Sequence, residues 1–445
     1  MDIKTQAELN GIPSEIPTSG QDWANHIAGY NTSDTQIKMV LEFENRLDID
    51  CIIRAVRLSI DAEPVLGCSF EEHSQNPSWK RLVNIDEVNW CVLQHAESKE
   101  KSINDFLKEN SKLENRQVQV KVLRCSESDV LCITLNHSCS DAGGAKDYLY
   151  LLSDIYSSLC HNKDYRPKPN IKAKRDAGYV FKELGITDLR KVWNPQLGTS
   201  RPTWAFPYHK GSPQELNFAI RRFDAKRFKE LVSFAREKSA TINDLLLTAF
   251  YRALFDMILP NPLEPMEVTV TVDLRRYLPS KKAETICNLS GAINTRVPRV
   301  EGETFLSTLD RVSEIMKSFK SNTPGIHNAA AMELMRGMNY SDVAMFMKNA
   351  AKAAVDSGKN SPLFSNLGVM AEYPFKFGDN HVKDLYLVSP AAYSPGFIFS
   401  FSTYNNVITL SVSYYEPTTR TEDVEKFLDI IQNELISCIS LIDSD

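Results

Sequence analysis

A histidine and an aspartate stand four residues apart in the stretch Asn136-His137-Ser138-Cys139-Ser140-Asp141-Ala142-Gly143-Gly144. An imidazole on a rigid loop titrates near neutrality, so His137 can take a proton from a hydroxyl, amine or thiol as that group attacks a carbonyl. Such proton transfer is typically worth roughly 10²–10⁴-fold in rate. Asp141 stands at the expected start of a helix, where a carboxylate caps the first turn and meets the positive end of the helix dipole. The glycines after it permit tight turning and close approach of neighbouring backbone or ligand. Cys139 has the chemistry of a nucleophile, but nothing beside it explains a depressed thiol pKa, and a small filler in a tight turn is the plainer reading. A His with an Asp at +4 also arises by chance, and Asp141 alone could be no more than a cap.

The flanking elements are those that hold a side chain still while leaving it reachable. Residues 130–135 form an apolar, β-favouring run and residues 145–156 a helical pattern, so the pair lies on a short strand-to-helix loop. Residues 37–43 alternate as a half-buried strand, and Ile49, Ile52, Ile53, Val56 and Ile60 mark a helix that Pro64 stops. Residues 65–70 and 79–83 read as short strands, 101–109 as a helix, and 118–123 with 130–135 as a hairpin. Trp23 and His26 fall on a short helix near the start. Residues 161–213, with charge clusters and several prolines, read as a connection. The expected division is 1–175 as an N-terminal lobe, 176–213 as the connection and 214–445 as a C-terminal lobe. In the last of these, strands are expected at 215–223, 268–273, 363–369, 397–403 and 407–414, with 288–295 leading into another. Helices are expected at 225–238, 241–255, 303–321, 328–354 and 422–441. The fold class is α/β or α+β in two lobes, each a mixed sheet with flanking helices.

Size and composition narrow the function. A chain of 445 residues exceeds one compact core. The net charge of −6 argues against a nucleic-acid partner. No apolar run approaches the roughly 18 residues that span a bilayer, and the first residues lack an apolar signal core, so a cytoplasmic location is expected. Nine scattered cysteines with no C-x-x-C spacing suggest reduced, mostly buried thiols, with no metal site. Phosphate-loop and G-x-G-x-x-G patterns are lacking, which removes the common nucleotide-binding readings.

With these segments in order, the chain resembles the condensation-domain and chloramphenicol-acetyltransferase-like acyltransferase superfamily. The motif stretch is similar to that family's HHxxxDG. Leu47-Asp-Ile-Asp-Cys-Ile-Ile-Arg-Ala-Val-Arg-Leu58 with Glu63-Pro-Val-Leu66 resembles its first helix and the segment after it. Lys238-Ser-Ala-Thr-Ile-Asn-Asp-Leu-Leu-Leu-Thr-Ala249 resembles its buried second-lobe helix. Val272-Asp-Leu-Arg-Arg-Tyr-Leu-Pro279, Gly291-Ala-Ile-Asn-Thr295 and Ser365-Asn-Leu-Gly368 follow in the family's order. The departures are Asn136 in place of the first motif His and Ala142 in place of the motif Gly. The D-F-G-W-G segment of the plant BAHD branch does not occur.

The resemblance implies two similar lobes with an active-site tunnel at their seam. It implies an acyltransferase that moves an acyl group from a thioester to a hydroxyl or amine. The donor would be acyl-coenzyme A or a carrier's phosphopantetheine arm, acting as cosubstrate, with no permanently bound cofactor. His137 would be the base. Asp141 would be structural and paired with Arg275, or alternatively Arg276. Ser365 and Asn366 are the oxyanion candidates, and Lys281 and Lys282 the candidates for coenzyme A phosphates. The partners implied are a small acyl acceptor and an acyl or peptidyl carrier protein. Two other readings stand beside this one: a carrier-dependent condensing enzyme acting in trans, and a catalytically silent carrier-binding module.

Overall fold

The computed structural model describes residues 11–73, 75–110, 116–193, 202–371 and 375–440. Among these residues, two six-stranded mixed sheets and one three-stranded sheet carry the fold. The first large sheet has the order Lys376–Phe377, Asn380–Val388, Gln36–Phe43, Asp129–Asn136, Val118–Arg124, Cys91–His95. All its neighbours are antiparallel except the last pair. The second has the order Ser290–Pro298, Pro265–Asp273, Leu363–Val369, Ile398–Tyr404, Val407–Glu416, Glu215–Phe223. There Leu363–Val369 runs parallel to both of its neighbours. Strands Glu15–Pro17, Ser78–Arg81 and Cys68–Glu71 make the small sheet.

Each large sheet buries one face under amphipathic helices. Ile52, Val56 and Ile60 of helix Ile49–Ala62 pack with Leu149 and Leu152 of helix Ala142–His161 over the first sheet. Helix Ile242–Ile258 is apolar nearly all round and is buried between the second sheet and helices Phe305–Lys320 and Thr421–Ser440, as such a pattern requires.

The chain does not hand its sheets out in order. Lys376–Phe377 and Asn380–Val388 lie in the second half of the sequence yet pair into the first sheet, with Leu385 opposite Leu41. The connection back, residues 389–397, crosses the seam to reach Ile398–Tyr404. A division at 176–213 therefore does not assign strands to sheets. Sequence alternation also misses Asn380–Val388, because a register shift between Val382 and Asp384 breaks the two-residue period. Cys91–His95 is missed as a five-residue edge strand.

Two further expectations change. The pattern at 328–354 is two helices, Ile326–Met335 and Tyr340–Ser357, interrupted before Asn339, whose side chain caps the second. Residues 65–67 belong to a 3₁₀ turn, Pro64–Gly67, and the strand begins at Cys68. No helix among the described residues is long and apolar enough to cross a membrane.

Candidate functional site

Strand Asp129–Asn136, enclosed by strands on both sides, delivers His137 to the seam, and residues 137–141 form the loop into helix Ala142–His161. Every turn of that loop is anchored. His137 N–H donates to Thr35 O at 2.8 Å. Asn136, which stands where the family has its first His, accepts the Ser138 N–H on Oδ1 at 2.9 Å and so closes the turn. The carbonyls of three successive residues are each held by a side chain from another part of the chain. Asn25 Nδ2 donates to His137 O at 3.1 Å, Asn288 Nδ2 to Ser138 O at 2.9 Å and Arg175 Nη2 to Cys139 O at 2.9 Å.

These three side chains share a hub. Asp22 is buried and accepts from Trp79 Nε1 at 2.9 Å, Asn288 Nδ2 at 3.1 Å and Arg175 Nη2 at 3.2 Å. Asn288 Oδ1 in turn accepts from Asn25 Nδ2 at 3.0 Å, and that same amide nitrogen lies 3.1 Å from His137 Nδ1. A buried, satisfied network of this kind rigidifies what it holds. Sequence reading found none of Asp22, Asn25, Arg175 and Asn288. Only the Ser19-x-x-Asp22 capping box was visible as a local signal, and it reports a helix start.

Asp141 and Arg275 are brought together. The Asp141 side chain caps its helix by accepting Gly144 N–H at 2.8 Å. Its other oxygen accepts Leu289 N–H at 2.8 Å and Arg275 Nη1 at 3.0 Å. Burial raises the Asp141 pKa, but the Arg275 guanidinium and the two backbone N–H groups outweigh it and hold the carboxyl below its usual range. Arg276 is exposed and lies over Tyr277. Gly143 and Gly144 are there for space: a Cβ on Gly143 would run into the Arg275 guanidinium, and one on Gly144 into Cys287 O at 2.9 Å. These are the two positions of the turn where a side chain has no room. Cys139 is fully buried, and burial pushes its thiol up to about 12, the reverse of what a nucleophile needs.

His137 is half-buried and faces a cavity of about 380 Å³ between the two large sheets. Ile37 and Leu387 line it from the first sheet, and Thr271 and Ser365 from the second. Ser389 and Phe397 of the crossing connection also line it. Of the other sequence candidates, Ser365 and Asn366 line the cavity. Ser365 Oγ lies 3.1 Å from Thr271 Oγ1, a pair of hydroxyls side by side. The Asn366 amide is occupied, Oδ1 by Gly368 N–H at 2.8 Å and Nδ2 by Asn243 Oδ1 at 3.2 Å. Lys281 and Lys282 are exposed and lie outside the cavity lining, with Lys281 Nζ folded onto Arg276 O. Lys146, which sequence reading passed over, lines the cavity instead and has no ion-pair partner among the described residues.

The cavity, its histidine and the two-sheet frame can be set against known proteins. The architecture is similar to that of polyketide synthase associated protein 5 from Mycobacterium tuberculosis, at 15% identity and a TM-score of 0.65, covering 96% of this chain and 98% of that one. It is similar to the TRI3 trichothecene 15-O-acetyltransferase from Fusarium sporotrichioides, at 13% identity and a TM-score of 0.73, covering 95% of each chain. It is also similar to the first condensation domain of the CDA synthetase, at 14% identity and a TM-score of 0.65, again covering 95% of each. Identities this low establish a shared fold. A search of curated proteins by sequence gives no match. The condensation-domain family model matches residues 18–257, more than half of the chain, from the capping box before Asp22 through the motif to the end of the buried helix Ile242–Ile258. The chain belongs to the condensation-domain family.

Proposed function

We propose that this protein is an acyltransferase that moves an acyl group from a thioester to a hydroxyl or amine, with His137 as general base. One observation carries the reading: His137 is held at the seam of the two sheets and lines a cavity to which both contribute. Its Nδ1 faces Asn25, and its Nε2 has no hydrogen-bond partner among the described residues and is not buried. Nε2 is therefore the nitrogen that takes the acceptor's proton as the acceptor oxygen or nitrogen attacks the thioester carbonyl. The tetrahedral intermediate then collapses with release of the thiol, and the proton on His137 is passed to it.

The developing oxyanion needs a donor aimed into the cavity. The Ser365–Thr271 hydroxyl pair supplies one, since either hydroxyl can donate to the other and leave a hydrogen for the oxyanion. Asn366 is less suited because both ends of its amide are engaged. The thioester arrives as acyl-coenzyme A or on a carrier arm. Family membership and the likeness to a polyketide synthase associated protein support a carrier, and the likeness to an O-acetyltransferase supports transfer to a hydroxyl.

The test is thiol release from a panel of acyl-coenzyme A and acyl-phosphopantetheinyl carrier donors, with alcohols and amines as acceptors. His137→Ala should lower acceptor-dependent release by about 10²–10⁴-fold with an unchanged melting temperature. Wild-type release by the folded variant would refute the base assignment, and release from carrier donors alone would make the enzyme carrier-dependent.

A further inference from the structure

Among the nine cysteines, two approach one another. Cys51 Sγ, on helix Ile49–Ala62, lies 3.8 Å from Cys160 Sγ, near the end of helix Ala142–His161. Cys51 is partly buried, and its sulfur is also 3.6 Å from Tyr156 O. Cys160 is exposed, beside the Gly378 turn, where an added Cβ would sit 3.5 Å from its sulfur. The two helices pack against each other through the first core, so their spacing is set by Ile52, Val56, Leu152 and Ile155 and not by the sulfurs. We propose that Cys51 and Cys160 form a dithiol site, which a small-molecule disulfide such as glutathione disulfide closes into an intramolecular cross-link.

The chemistry assigns the two thiols different parts. Exposure makes Cys160 the entry point: its thiolate attacks one sulfur of glutathione disulfide, breaks that S–S bond and expels one glutathione thiolate. Cys51 then gives its proton to solvent and attacks Cys160 Sγ, forming the protein S–S bond and expelling the second glutathione. Two protein thiols are oxidised by two electrons, one glutathione disulfide is reduced, and both protons end on the two glutathiones. Burial pushes the Cys51 thiol up to about 12, so this second step is slow at neutral pH and quickens as pH rises. Closing 3.8 Å to the roughly 2.05 Å of a disulfide asks each sulfur to move under about 1 Å, within the reach of side-chain rotation. The bond would span residues 109 apart, and cross-links closing long loops constrain the unfolded chain most.

The experiment treats the full chain under native conditions with glutathione disulfide and follows intact mass, a non-reducing peptide map and the melting temperature. The expected product has lost two hydrogens, carries a peptide joining Cys51 to Cys160, and melts roughly 5 °C higher until dithiothreitol is added. Cys51→Ser should stop at a glutathione adduct on Cys160, and Cys160→Ser should give no Cys51 adduct. A wild-type protein that keeps a glutathione adduct on Cys160, or that links a different pair, would overturn the proposal.

Discussion

At the scale of single residues, the orientation of one amide governs what His137 can do. Asn288 gives both hydrogens of its Nδ2 to Asp22 Oδ1 and Ser138 O, so its Oδ1 must face Asn25. Asn25 answers with Nδ2, and that nitrogen also meets His137 O and His137 Nδ1, three acceptors for two hydrogens. In this arrangement Nδ1 is asked to accept, which favours the ring hydrogen on Nε2. If His137 takes up a proton at Nε2 as proposed, the ring hydrogen must stand on Nδ1, which requires the Asn25 amide to turn its oxygen to the ring. Asn25→Asp, with two accepting oxygens, should move the ring hydrogen to Nδ1 and keep at least wild-type turnover, at some cost in stability because its carboxylate faces two other acceptors. Asn25→Leu should lower turnover about 10-fold or more through loss of orientation. Nitrogen-15 chemical shifts of the His137 ring, read beside the rates, check both variants. An unchanged tautomer in Asn25→Asp would show that Asn25 does not govern it.

The residues that could be read from sequence and those that could not differ in one physical respect. His137 and Asp141 are four apart on one loop, and Arg275 lies in a segment that follows the family's order, so each carried a local signal. Asp22, Asn25, Arg175 and Asn288 act only through convergence of three distant segments around one buried carboxylate, and apart from the Ser19–Asp22 capping box, which reports a helix start, nothing beside them in the chain marks them. The coenzyme A candidates show the complementary limit of local signals. Two adjacent lysines are conspicuous in sequence, but an exposed loop carries Lys281 and Lys282 away from the cavity, while Lys146 reaches it from inside a helix.

At the scale of elements, the start of helix Ala142–His161 is pinned by one guanidinium among three carboxylates. Arg275 Nη1 is 3.0 Å from Asp141 and 3.3 Å from Asp273, and its Nε is 3.8 Å from Asp147 Oδ2. The two carboxylates on the helix have opposite pH signs. Asp141 has a lowered pKa, so its contribution to stability is present above the unfolded value near 3.9 and is lost as pH falls through the lowered one. Burial pushes Asp147 up to about 6, against the pull of Arg275, and its Oδ2 has no hydrogen-bond partner among the described residues. Its contribution is full below about 3.9 and is lost as pH rises through about 6. Asp141→Asn should therefore destabilise by about 3–5 kcal/mol at neutral pH, as expected when a buried pair loses one partner. Asp147→Asn should instead melt higher than wild type above pH 6 and converge with it near pH 4. Denaturant unfolding measures the loss in Asp141→Asn and thermal unfolding across that pH range the shift in Asp147→Asn; a lower melting temperature for Asp147→Asn at pH 8 would reject the assignment.

At the scale of the whole molecule, the two halves complete one another. Strand Gln36–Phe43 has Met39, Val40 and Leu41 fully buried, and one of its two neighbours, Asn380–Val388, comes from the far end of the chain. Without that neighbour it would be a long apolar edge, the kind of strand that pairs with other chains and aggregates. The second half reaches across elsewhere too. Asp384 on the borrowed strand takes two hydrogen bonds of 2.7 Å from Arg222 of the second sheet. Asn288, Leu289 and Arg275 hold the motif loop from the same side. The motif loop thus stands on contacts from both halves, and the cavity exists only where they meet. It follows that residues 1–213 expressed alone should aggregate or lack a cooperative thermal transition, despite carrying the whole His137–Asp141 motif. Co-expression with residues 214–445 should restore a soluble complex and, if the proposed reaction is right, His137-dependent thiol release. A monomeric 1–213 fragment that unfolds cooperatively would show instead that the borrowed strand decorates a sheet already able to stand by itself.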